Sequence, residues 1–595
     1  MSKPESGATL GIGGFLGHDA NAALMVDGEL VAATQEERST RRKHDGEFPR
    51  RAIAECLEIG GLHAGEVGVV AFAEKHLQSR LFDKTGRPAS RLSAAFARLL
   101  PNRWEAEYLK PARELFTSAR IRYAWHHLSH AAGAFYTSDC RRAAFLCVDG
   151  KGEDVNATIG RIDADELEVA WEQPHENGIG LLYTLVTRFL GFPSFGSEYK
   201  VMGLAPYGEP RFVEGLRSLV HSDPRGWVRL KEPVTFVTPA MEAAVALVER
   251  ATGVARRGRG EELTDEHVDI AASLQSLFEE RIFAMARFAR ETTEEDHLLF
   301  TGGCAQNCVV AGKLRAAGIF SEVHNSPVAG DMGSGLGAAI LDQRDRGLID
   351  GAWVDPRGFY LGTSPGEAPL EATPWAVDSG DDLFAAVAAR LAEGSIVAWC
   401  RGRMELGARA LGARSIFADP RVPGMQSRLN RAVKFREGFR PFAPVVLEEE
   451  VGAWFDSDRP SRFMQFVANL RPELRRAVPA GLRSMRERLE YPRCEISSVI
   501  HVDYSARLQT VEAGTHPDLH RLLSAFHRST GVPILINTSF NVAGEPIVRT
   551  AQEAWDCFVH TDVDFLVIGD RMFRNPRQLG RSEKLAWAQR FTEFS

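Results

Sequence analysis

The stretch of sequence that most constrains the fold is Ala119–Gly152, ARIRYAWHHLSHAAGAFYTSDCRRAAFLCVDGKG. A short alternating segment at its start predicts a strand. The segment His126–Tyr136 then follows a helical pattern, which predicts a helix. His126 and His130 are four positions apart, so their imidazoles would lie on one face of this helix.

The same stretch ends in an apolar run, Ala143–Val148, which predicts a buried central strand. Asp149 follows directly, where the strand would leave the sheet. Two imidazoles and one carboxylate on neighbouring elements could form a site for a borderline divalent metal ion. The spacing is equally compatible with a core helix that carries one polar histidine, followed by an aspartate in a turn.

Composition limits the class of protein. The chain has 595 residues, of which 44% are hydrophobic and 25% charged, so we expect an ordinary globular protein of two or three domains. A net charge of -8 disfavours nucleic-acid binding, RNA included, except through a local basic surface. The eight cysteines are scattered without a CxxC pair, and no apolar run suits a signal peptide or a membrane span. We therefore expect a cytoplasmic protein with reduced thiols.

Two similar segments predict an internal duplication. Gly17–Ala22 and Gly152–Ala157 share the pattern G-x-D-x-N-A, and each lies between a predicted strand and a predicted hairpin. In the first hairpin the turn is Asp27-Gly28, a strong hairpin signal. Duplicated halves of this kind resemble the superfold shared by actin, the sugar kinases and the chaperone ATPases, in which a nucleotide lies between the halves.

Two glycine clusters bear on nucleotide binding. Gly302 and Gly303 follow a predicted strand and precede a predicted helix from about Cys304, and Gly330–Gly337 precedes another helix. Backbone amides at such positions can bind phosphate. Tight turns would explain either cluster alone, whereas both together favour a nucleotide site.

Other segments set the domain organisation. The loss of helical pattern over Gly351–Asp381 predicts a domain boundary, with one domain over residues 1–355 and another over 380–595. Phe195–Gly208 is predicted to be a loop that lines the cleft, although a structural turn explains it equally well. The mixed charges of Glu36–Asp45 are typical of a solvated face. Glu74–Glu114 and Pro224–Asp265 are expected to shape a substrate pocket.

Basic residues are concentrated in the second domain. Arg403–Ser415 and Asn430–Pro444 place arginines and lysines among glycines and aromatic residues. Such a set suits a cradle for phosphate or carboxylate, and a solvated basic face is the alternative. Pro533–Ile536 predicts a buried strand followed by a polar loop, and the chain after Arg571 predicts a surface helix.

These motifs, taken in order, resemble the O-carbamoyltransferase family often called NodU/CmcH, which includes the nodulation-factor, cephamycin and tobramycin carbamoyltransferases. The resemblance covers nearly the whole chain and rests on GHDANAAL with EER, HHLSHAAGAF, VDGKGE, GSEYKVMGLAPYG, FTGGCAQN, GDMGSGLGAA, GRMELGARALGARSI, NRAVKFREGFRPFAP and NTSFN. It implies an α/β fold. An actin-like, metal-dependent N-terminal domain, similar to the tRNA threonylcarbamoyl-transfer protein, would precede a YrdC-like C-terminal domain.

The resemblance implies a two-stage reaction. Carbamoyl phosphate and ATP, with Mg²⁺, would form carbamoyl adenylate in the YrdC-like domain, and the N-terminal domain would transfer the carbamoyl group to a hydroxyl of a small-molecule, natural-product acceptor. The implied protein is a monomer or homodimer that binds neither nucleic acid nor membrane. Transfer to tRNA is disfavoured because both modules share one acidic chain. A nonenzymatic nucleotide-gated protein would not need a second phosphate site, and a metalloprotease would need HExxH.

The resemblance also assigns roles to residues. The implied general base is His18, and Lys43 would contact phosphate or the carbamoyl oxygen. The implied metal is iron(II), although Mn²⁺ or Zn²⁺ suit the same donors, and its ligands are His126, His130, Asp149 and Asp331. The residues implied to bind nucleotide, phosphate or the carbamoyl group are Gly302, Gly303, Asn307, Arg409, Lys434, Arg440, Arg507, Asn537 and Ser539.

Overall fold

The computed structural model describes residues 7–14, 18–74, 109–150, 152, 155–174, 177–193, 196–232, 238–349, 354–378, 380, 382–436, 438–479, 481–482 and 484–591. Within these residues, two five-stranded sheets, a small hairpin and a nine-stranded sheet combine with helices. The predicted α/β class is confirmed. No helix in this part of the chain has both the length and the apolar character needed to cross a membrane.

The first sheet contains β1 Ala8–Gly13, β2 Asn21–Val26, β3 Glu29–Gln35, β4 Val69–Phe72 and β5 Arg120–Tyr123, in the order β3-β2-β1-β4-β5. β1 is antiparallel to β2 and parallel to β4. The predicted hairpin between β2 and β3 is confirmed, and its turn residues Asp27 and Gly28 have φ of 48° and 85°. Such left-handed turns match the twist of the flanking strands.

The second sheet repeats the topology of the first. The strands that follow in the chain are β6 Arg142–Val148, β7 Val155–Asp163, β8 Leu167–Pro174, β9 Val220–Ser222, β10 Val228–Leu230, β11 His297–Thr301 and β12 Glu322–His324. β9 and β10 form the hairpin, and the others form a sheet in the order β12-β11-β6-β7-β8. As in the first sheet, the opening strand β6 has an antiparallel hairpin, β7 and β8, on one side and two parallel strands, β11 and β12, on the other. The predicted duplication is therefore confirmed, although Gly17, Glu153 and Asp154 of the repeated segments lie outside the described residues.

The helices of this first part include the predicted histidine helix, His126–Tyr136. Their bounds are Glu36–Thr40, Arg50–Gly60, Lys110–Leu115, His126–Tyr136, Ile179–Phe189, Glu198–Leu204, Val213–Arg217, Thr238–Thr252, Asp265–Thr293, Cys308–Ala316 and Ser334–Asp345. The last of these packs very closely on its neighbours. A Cβ on Gly337 would lie 1.8 Å from the Ser129 carbonyl oxygen, and one on Gly11 would lie 1.8 Å from that of Gly335. Close packing of this helix therefore requires glycines within Gly330–Gly337, the cluster predicted to bind phosphate.

The nine-stranded sheet forms the second part. Its strands are β13 Ala376–Val377, β14 Val397–Cys400, β15 Arg414–Ala418, β16 Ala443–Leu447, β17 Phe466–Asn469, β18 Ser505–Val511, β19 Ile534–Ser539, β20 Phe565–Ile568 and β21 Arg571–Arg574, in the order β13-β21-β20-β14-β15-β19-β16-β18-β17. Its helices are Leu383–Ala392, Met425–Leu429, Val451–Trp454, Met485–Glu490, Pro517–Thr530, Ala551–Val559 and Arg581–Gln589, with a π-helical turn at Asn430–Lys434. Alternate β14 residues belong to different cores, because Val397 and Trp399 pack on one face and Ala398 and Cys400 on the other.

Several predicted elements differ from the structure. The segment predicted as a cleft loop contains the helix Glu198–Leu204, and the helix predicted from Cys304 begins at Cys308 after a 3₁₀ turn. β19 continues to Ser539, so part of the predicted polar loop is strand. After residue 571 a strand precedes the helix Arg581–Gln589. The domain division stays a prediction, and of the predicted pocket segments residues 75–108 and 233–237 lie outside the described part of the chain.

The charged segment Glu36–Asp45 is not a solvated face, because Glu36, Glu37 and Arg38 are all buried. The Glu36 carboxylate accepts hydrogen bonds from the first amides of the helix Arg50–Gly60. Arg38 donates to the carbonyl of Gly407 at 2.8 Å, across to the second part of the chain. Interaction partners far away in sequence therefore decide the environment of these charges.

A partly buried histidine in the second part, His516, gives a pH-dependent prediction. Nδ1 of His516 accepts a hydrogen bond of 3.3 Å from the amide of Leu519, which caps the helix Pro517–Thr530. Burial lowers the pKa of His516 from 6.5 to about 4, so acid protonates it in the unfolded chain first. Protonation of His516 in the unfolded chain should lower the free energy of unfolding by about 2 kcal/mol between pH 7 and pH 4.5. His516→Asn keeps a capping side chain but does not titrate. In urea titrations, the free energies of unfolding of wild type and variant should therefore converge by this amount as the pH falls. A difference in unfolding free energy that is independent of pH would contradict the prediction.

Candidate metal centre and arginine cradle

Four predicted metal ligands lie together at the carboxyl ends of the central strands. His126 and His130 come from the histidine helix, Asp149 follows β6, and Asp331 begins the turn before the helix Ser334–Asp345. Their donor atoms all lie within 4.8 Å of one another. Asp331 is more than two hundred residues away from the histidines, and the packing of the helix Ser334–Asp345 on the histidine helix brings it to them.

The donor atoms have the spacing of a coordination shell. The two imidazole Nε2 atoms are 3.1 Å apart, and each lies 3.3–3.5 Å from Oδ2 of Asp149 and Oδ1 of Asp331. A regular tetrahedron with edges of about 3.4 Å has its vertices about 2.1 Å from the centre, the usual length of a bond from zinc to nitrogen or oxygen. Buried Oδ2 of Asp149 has no hydrogen-bond partner among the described residues. The four residues therefore fit a divalent cation.

The electrostatics of the four groups support this conclusion. Burial alone would lower the pKa of His126, but the Asp331 and Asp149 carboxylates raise it well above its usual range. Burial would raise the pKa of Asp149, whereas the two histidines lower it. The carboxylates thus require positive charge in this buried place, which protons on the imidazoles or a metal ion can supply.

His18 lies beside this group, held by an aspartate. Its Nε2 is 3.8 Å from Oδ2 of Asp331, and its Nδ1 is 2.9 Å from Oδ2 of Asp19. The other oxygen of Asp19 is 2.9 Å from Nδ1 of His44. Burial would lower the pKa of His18, but the hydrogen bond to Asp19 and the surrounding carboxylates raise it to about 10. Asp19 and His44 therefore orient His18 toward the metal centre.

The G-x-D-x-N-A pattern has a local function here that the sequence did not reveal. Asp19 has a φ of 60°, a left-handed conformation, and orients His18. Asn21 donates to the carbonyls of Asp19 and Asp331 at 3.0 and 2.8 Å. The side-chain oxygen of Asn21 accepts from the amide of Gly335. Asn21 thus fixes the turn that carries Asp331. The repeated pattern was the sequence signal for Asn21, and it gave no indication of these hydrogen-bond partners.

A second cluster, the arginine cradle, contains Arg409, Arg440 and Arg507. Burial first, and then the charge of Arg507, lower the pKa of Arg409 to about 9. Burial and Arg440 likewise lower the pKa of Arg507. Nε of Arg409 and Nε of Arg507 are buried without a hydrogen-bond partner, and within the described chain no carboxylate forms an ion pair with either residue. Neighbouring guanidinium groups without a counter-ion suit an anionic ligand.

Residues of the first part of the chain complete the cradle. The guanidinium carbon of Arg440 lies 4.5 Å from the centre of the Tyr199 ring, at a cation–π distance. Burial would raise the pKa of Tyr199, yet Arg440 and Lys43 lower it. Cys308 is close enough to Arg507 and Arg409 for their charges to act on it. Lys43, next in sequence to His44, is therefore close enough to Tyr199 for its charge to act on that ring.

The other predicted binding residues have partners within the protein. Nζ of Lys434 donates to Ser539 and Asn541, with a distance of 2.8 Å to Oδ1 of Asn541, and burial holds its pKa well below the usual range. Asn537 donates to Gln509 at 2.6 Å, and its buried Oδ1 has no partner in the described structure. Lys434 therefore supports the turn after β19, and the Asn537 oxygen remains available to a ligand.

The first glycine cluster supports the metal centre. Gly302 has a φ of 87° and approaches the backbone of Val148, where a Cβ would lie 2.4 Å from the carbonyl oxygen. The amide of Gly303 donates to Oδ1 of Asp149 at 2.8 Å. Asn307 caps the helix Cys308–Ala316 through the amide of Val310. These contacts give structural reasons for the motif, and a nucleotide-binding role for the same residues stays a prediction.

Comparison with known proteins identifies the family. The carbamoyltransferase N-terminus family model matches residues 8–340, and the carbamoyltransferase C-terminus model matches residues 388–575. The chain is 37% identical over 614 residues to the uncharacterized protein sll1178 of Synechocystis, covering 98% of this chain and 99% of that one. It is 34% identical over 577 residues to the nodulation protein NolNO of Sinorhizobium fredii, covering 94% and 79%.

A third relative carries an enzymatic name. The 3'-hydroxymethylcephem-O-carbamoyltransferase of Streptomyces clavuligerus is 32% identical over 389 residues, covering 64% of this chain and 66% of that one. The alternative of a nonenzymatic nucleotide-gated protein is therefore wrong. The two family models, which together match most of the chain, and these relatives establish that the protein belongs to the carbamoyltransferase family and is an enzyme that transfers carbamoyl groups.

Proposed function

We propose that this enzyme is an ATP-dependent O-carbamoyltransferase that activates the carbamoyl group in the arginine cradle and transfers it to an acceptor hydroxyl beside the metal centre. The observation that carries the proposal is the row of side chains that joins the two clusters. From Asp331 the row passes through His18, Asp19 and His44. Lys43, next to His44 in the sequence, is near enough to Tyr199 for its charge to lower the pKa of that ring, and Tyr199 stacks with Arg440. Two successive steps at separate sites require a route for the activated carbamoyl group from the anion site to the transfer site.

The activation step suits the charges of the cradle. Water would convert carbamoyl phosphate into carbamate and inorganic phosphate, and a carbamate oxygen would then attack the α-phosphorus of ATP and expel pyrophosphate. Both steps place phosphate charge beside Arg409, Arg440 and Arg507, and within the described residues no carboxylate forms an ion pair with Arg409 or Arg507. Fixed guanidinium groups would stabilise this charge without reorganisation. The product, carbamoyl adenylate, carries AMP as a good leaving group.

The transfer step suits the metal centre and His18. The acceptor oxygen would attack the carbamoyl carbon, the bond to AMP would break, and the acceptor proton would pass to His18. A divalent cation would be held by His126, His130, Asp149 and Asp331. Its charge would offset the negative charge that raises the pKa of His18 and would attract the phosphate of the leaving AMP. Asp19 orients the imidazole through Nδ1, which leaves Nε2 directed at the centre. The donors are compatible with iron(II), the ion that the family resemblance implies.

The experiment that tests the proposal is the substitution His18→Asn. It removes a titratable base but keeps hydrogen-bonding capacity, and loss of general-base catalysis typically slows a reaction by about 10²–10⁴-fold. With carbamoyl phosphate, ATP and a competent hydroxyl acceptor, the variant should still release pyrophosphate and form carbamoyl adenylate. Carbamoylated product, measured by mass spectrometry, should fall by that factor.

The matched control is His221→Asn, on the exposed strand β9, which should leave both rates unchanged. If His18→Asn loses pyrophosphate release and product formation together while retaining its fold and metal, the division into two sites is wrong. His18 would then belong to activation.

A further inference from the structure

A second group of side chains of metal-ligating types lies before β6 and at the start of β11, whereas Asp149 of the metal centre follows the other end of β6. One donor atom from each of Cys140, His297 and His324 lies within 4.8 Å of the others. Nδ1 of His297 is 3.2 Å from Nε2 of His324, and the two rings are stacked with an interplanar angle of 16°. Neither the reaction nor the family comparison uses these residues.

Strand register explains why the two histidines meet. His297 begins β11 and His324 ends β12, and the parallel register pairs Leu299 with His324. Residues 297 and 299 share a face of β11, so the His324 ring lies on the same face as the His297 ring. Cys140 lies just before β6, the other neighbour of β11. Three separate segments therefore bring their donors to one place.

The chemistry of the donors indicates which ligand they suit. One thiolate and two imidazoles are preferred by Zn²⁺ and comparable divalent transition metals. Cys140 is buried, whereas the histidines are only partly buried, which leaves room for water as a fourth ligand. Oδ1 of Asp139 is 3.9 Å from Nδ1 of His324, on the side of the ring away from His297. A carboxylate in this position favours the tautomer whose Nε2 is free to bind a metal.

The pairwise contacts alone do not account for the arrangement. The histidines could share one proton, and the Cys140 thiol donates to the carbonyl of Arg142 at 3.2 Å. Neither contact requires the thiol and both imidazole nitrogens to converge. A cation bound by all three side chains would require their donor atoms to lie together.

We propose that Cys140, His297 and His324 bind a second divalent transition-metal ion, with Zn²⁺ as the matching class, and that this ion ties the loop before β6 to β11 and β12. The ion would be structural, because β6, which has seven residues, separates it from Asp149. A strand of that length spans about 20 Å. The site is therefore independent of the proposed reaction.

The test uses Co²⁺ as a spectroscopic probe on the full-length protein after removal of metal by a chelator. The four ligands of the metal centre beside His126 are nitrogen and oxygen donors, so a thiolate-to-cobalt charge-transfer band in the near ultraviolet that depends on Cys140 reports the second site. We expect this band to saturate at one equivalent, to vanish in Cys140→Ser and to require at least tenfold more Co²⁺ in His324→Gln. Cys147→Ser, which removes the thiol grouped with His127 and Asp149 beside the metal centre, is the control and should retain the band.

A second measurement separates loss of the site from loss of folding. In the His126→Ala/His130→Ala background only the second site should bind, so Zn²⁺ should raise the melting temperature of that protein but not of the same protein with His324→Gln added. Absence of the charge-transfer band in wild type at saturating Co²⁺, or its persistence in Cys140→Ser, would overturn the proposal. An equal Zn²⁺ effect on melting with and without His324 would overturn it as well.

Discussion

Replacing both helix histidines, in His126→Ala/His130→Ala, is expected to remove about one equivalent of transition metal from protein purified without chelator and to slow carbamoyl transfer by about 10³-fold or more. The two imidazoles supply half of the four donor atoms, and their nitrogens lie 3.1 Å from each other and 3.3–3.5 Å from the carboxylate oxygens. Without them the carboxylates of buried Asp149 and partly buried Asp331 would repel each other, with no cation held between them. Elemental analysis and product mass spectrometry measure the two effects.

The matched control replaces two histidines that lie far from the centre. His520→Ala/His527→Ala changes the helix Pro517–Thr530 and should leave metal content and transfer unchanged. Pyrophosphate release should persist in the His126→Ala/His130→Ala protein, because the arginine cradle is intact. An unchanged metal content in that protein would show that these donors hold no ion.

Replacing Arg440 by alanine is expected to have the second large effect. Arg440→Ala should slow pyrophosphate release dependent on ATP and carbamoyl phosphate by about 10²–10³-fold, since charge-assisted hydrogen bonds contribute about 1.5–3 kcal/mol each. It also removes the cation that lies 4.5 Å over the Tyr199 ring. Metal content should not change, because none of the four donor residues contacts the cradle directly.

Two further variants sharpen this experiment. Arg486→Ala removes an exposed arginine whose ion pair with Glu490 lies on the surface, and it should release pyrophosphate at the wild-type rate. Arg440→Lys keeps the charge but not the planar fork, so it should recover only part of the rate. If Arg440→Ala releases pyrophosphate normally, activation takes place at another site.

Local patterns in the sequence determined a large part of this protein. Helical spacing placed His126 and His130 on one face, and an apolar run followed by Asp149 gave the next strand and its carboxylate. The repeated G-x-D-x-N-A pattern indicated the duplication that the two matching sheets confirm. These features depend on neighbours within a few residues, which is why periodicity and spacing are sufficient to find them.

Only the tertiary structure decided which distant groups meet. Asp19 and His44 orient His18, and Asn21 holds the turn of Asp331, through contacts that no local pattern specifies. Glu36–Asp45 has the composition of a solvated face, yet long-range contacts bury its first charges. The environment of a polar side chain depends on the elements that pack against it. Sequence spacing therefore determined the elements and the chemical types of their side chains, and the packing of the two parts of the chain decided how those side chains combine.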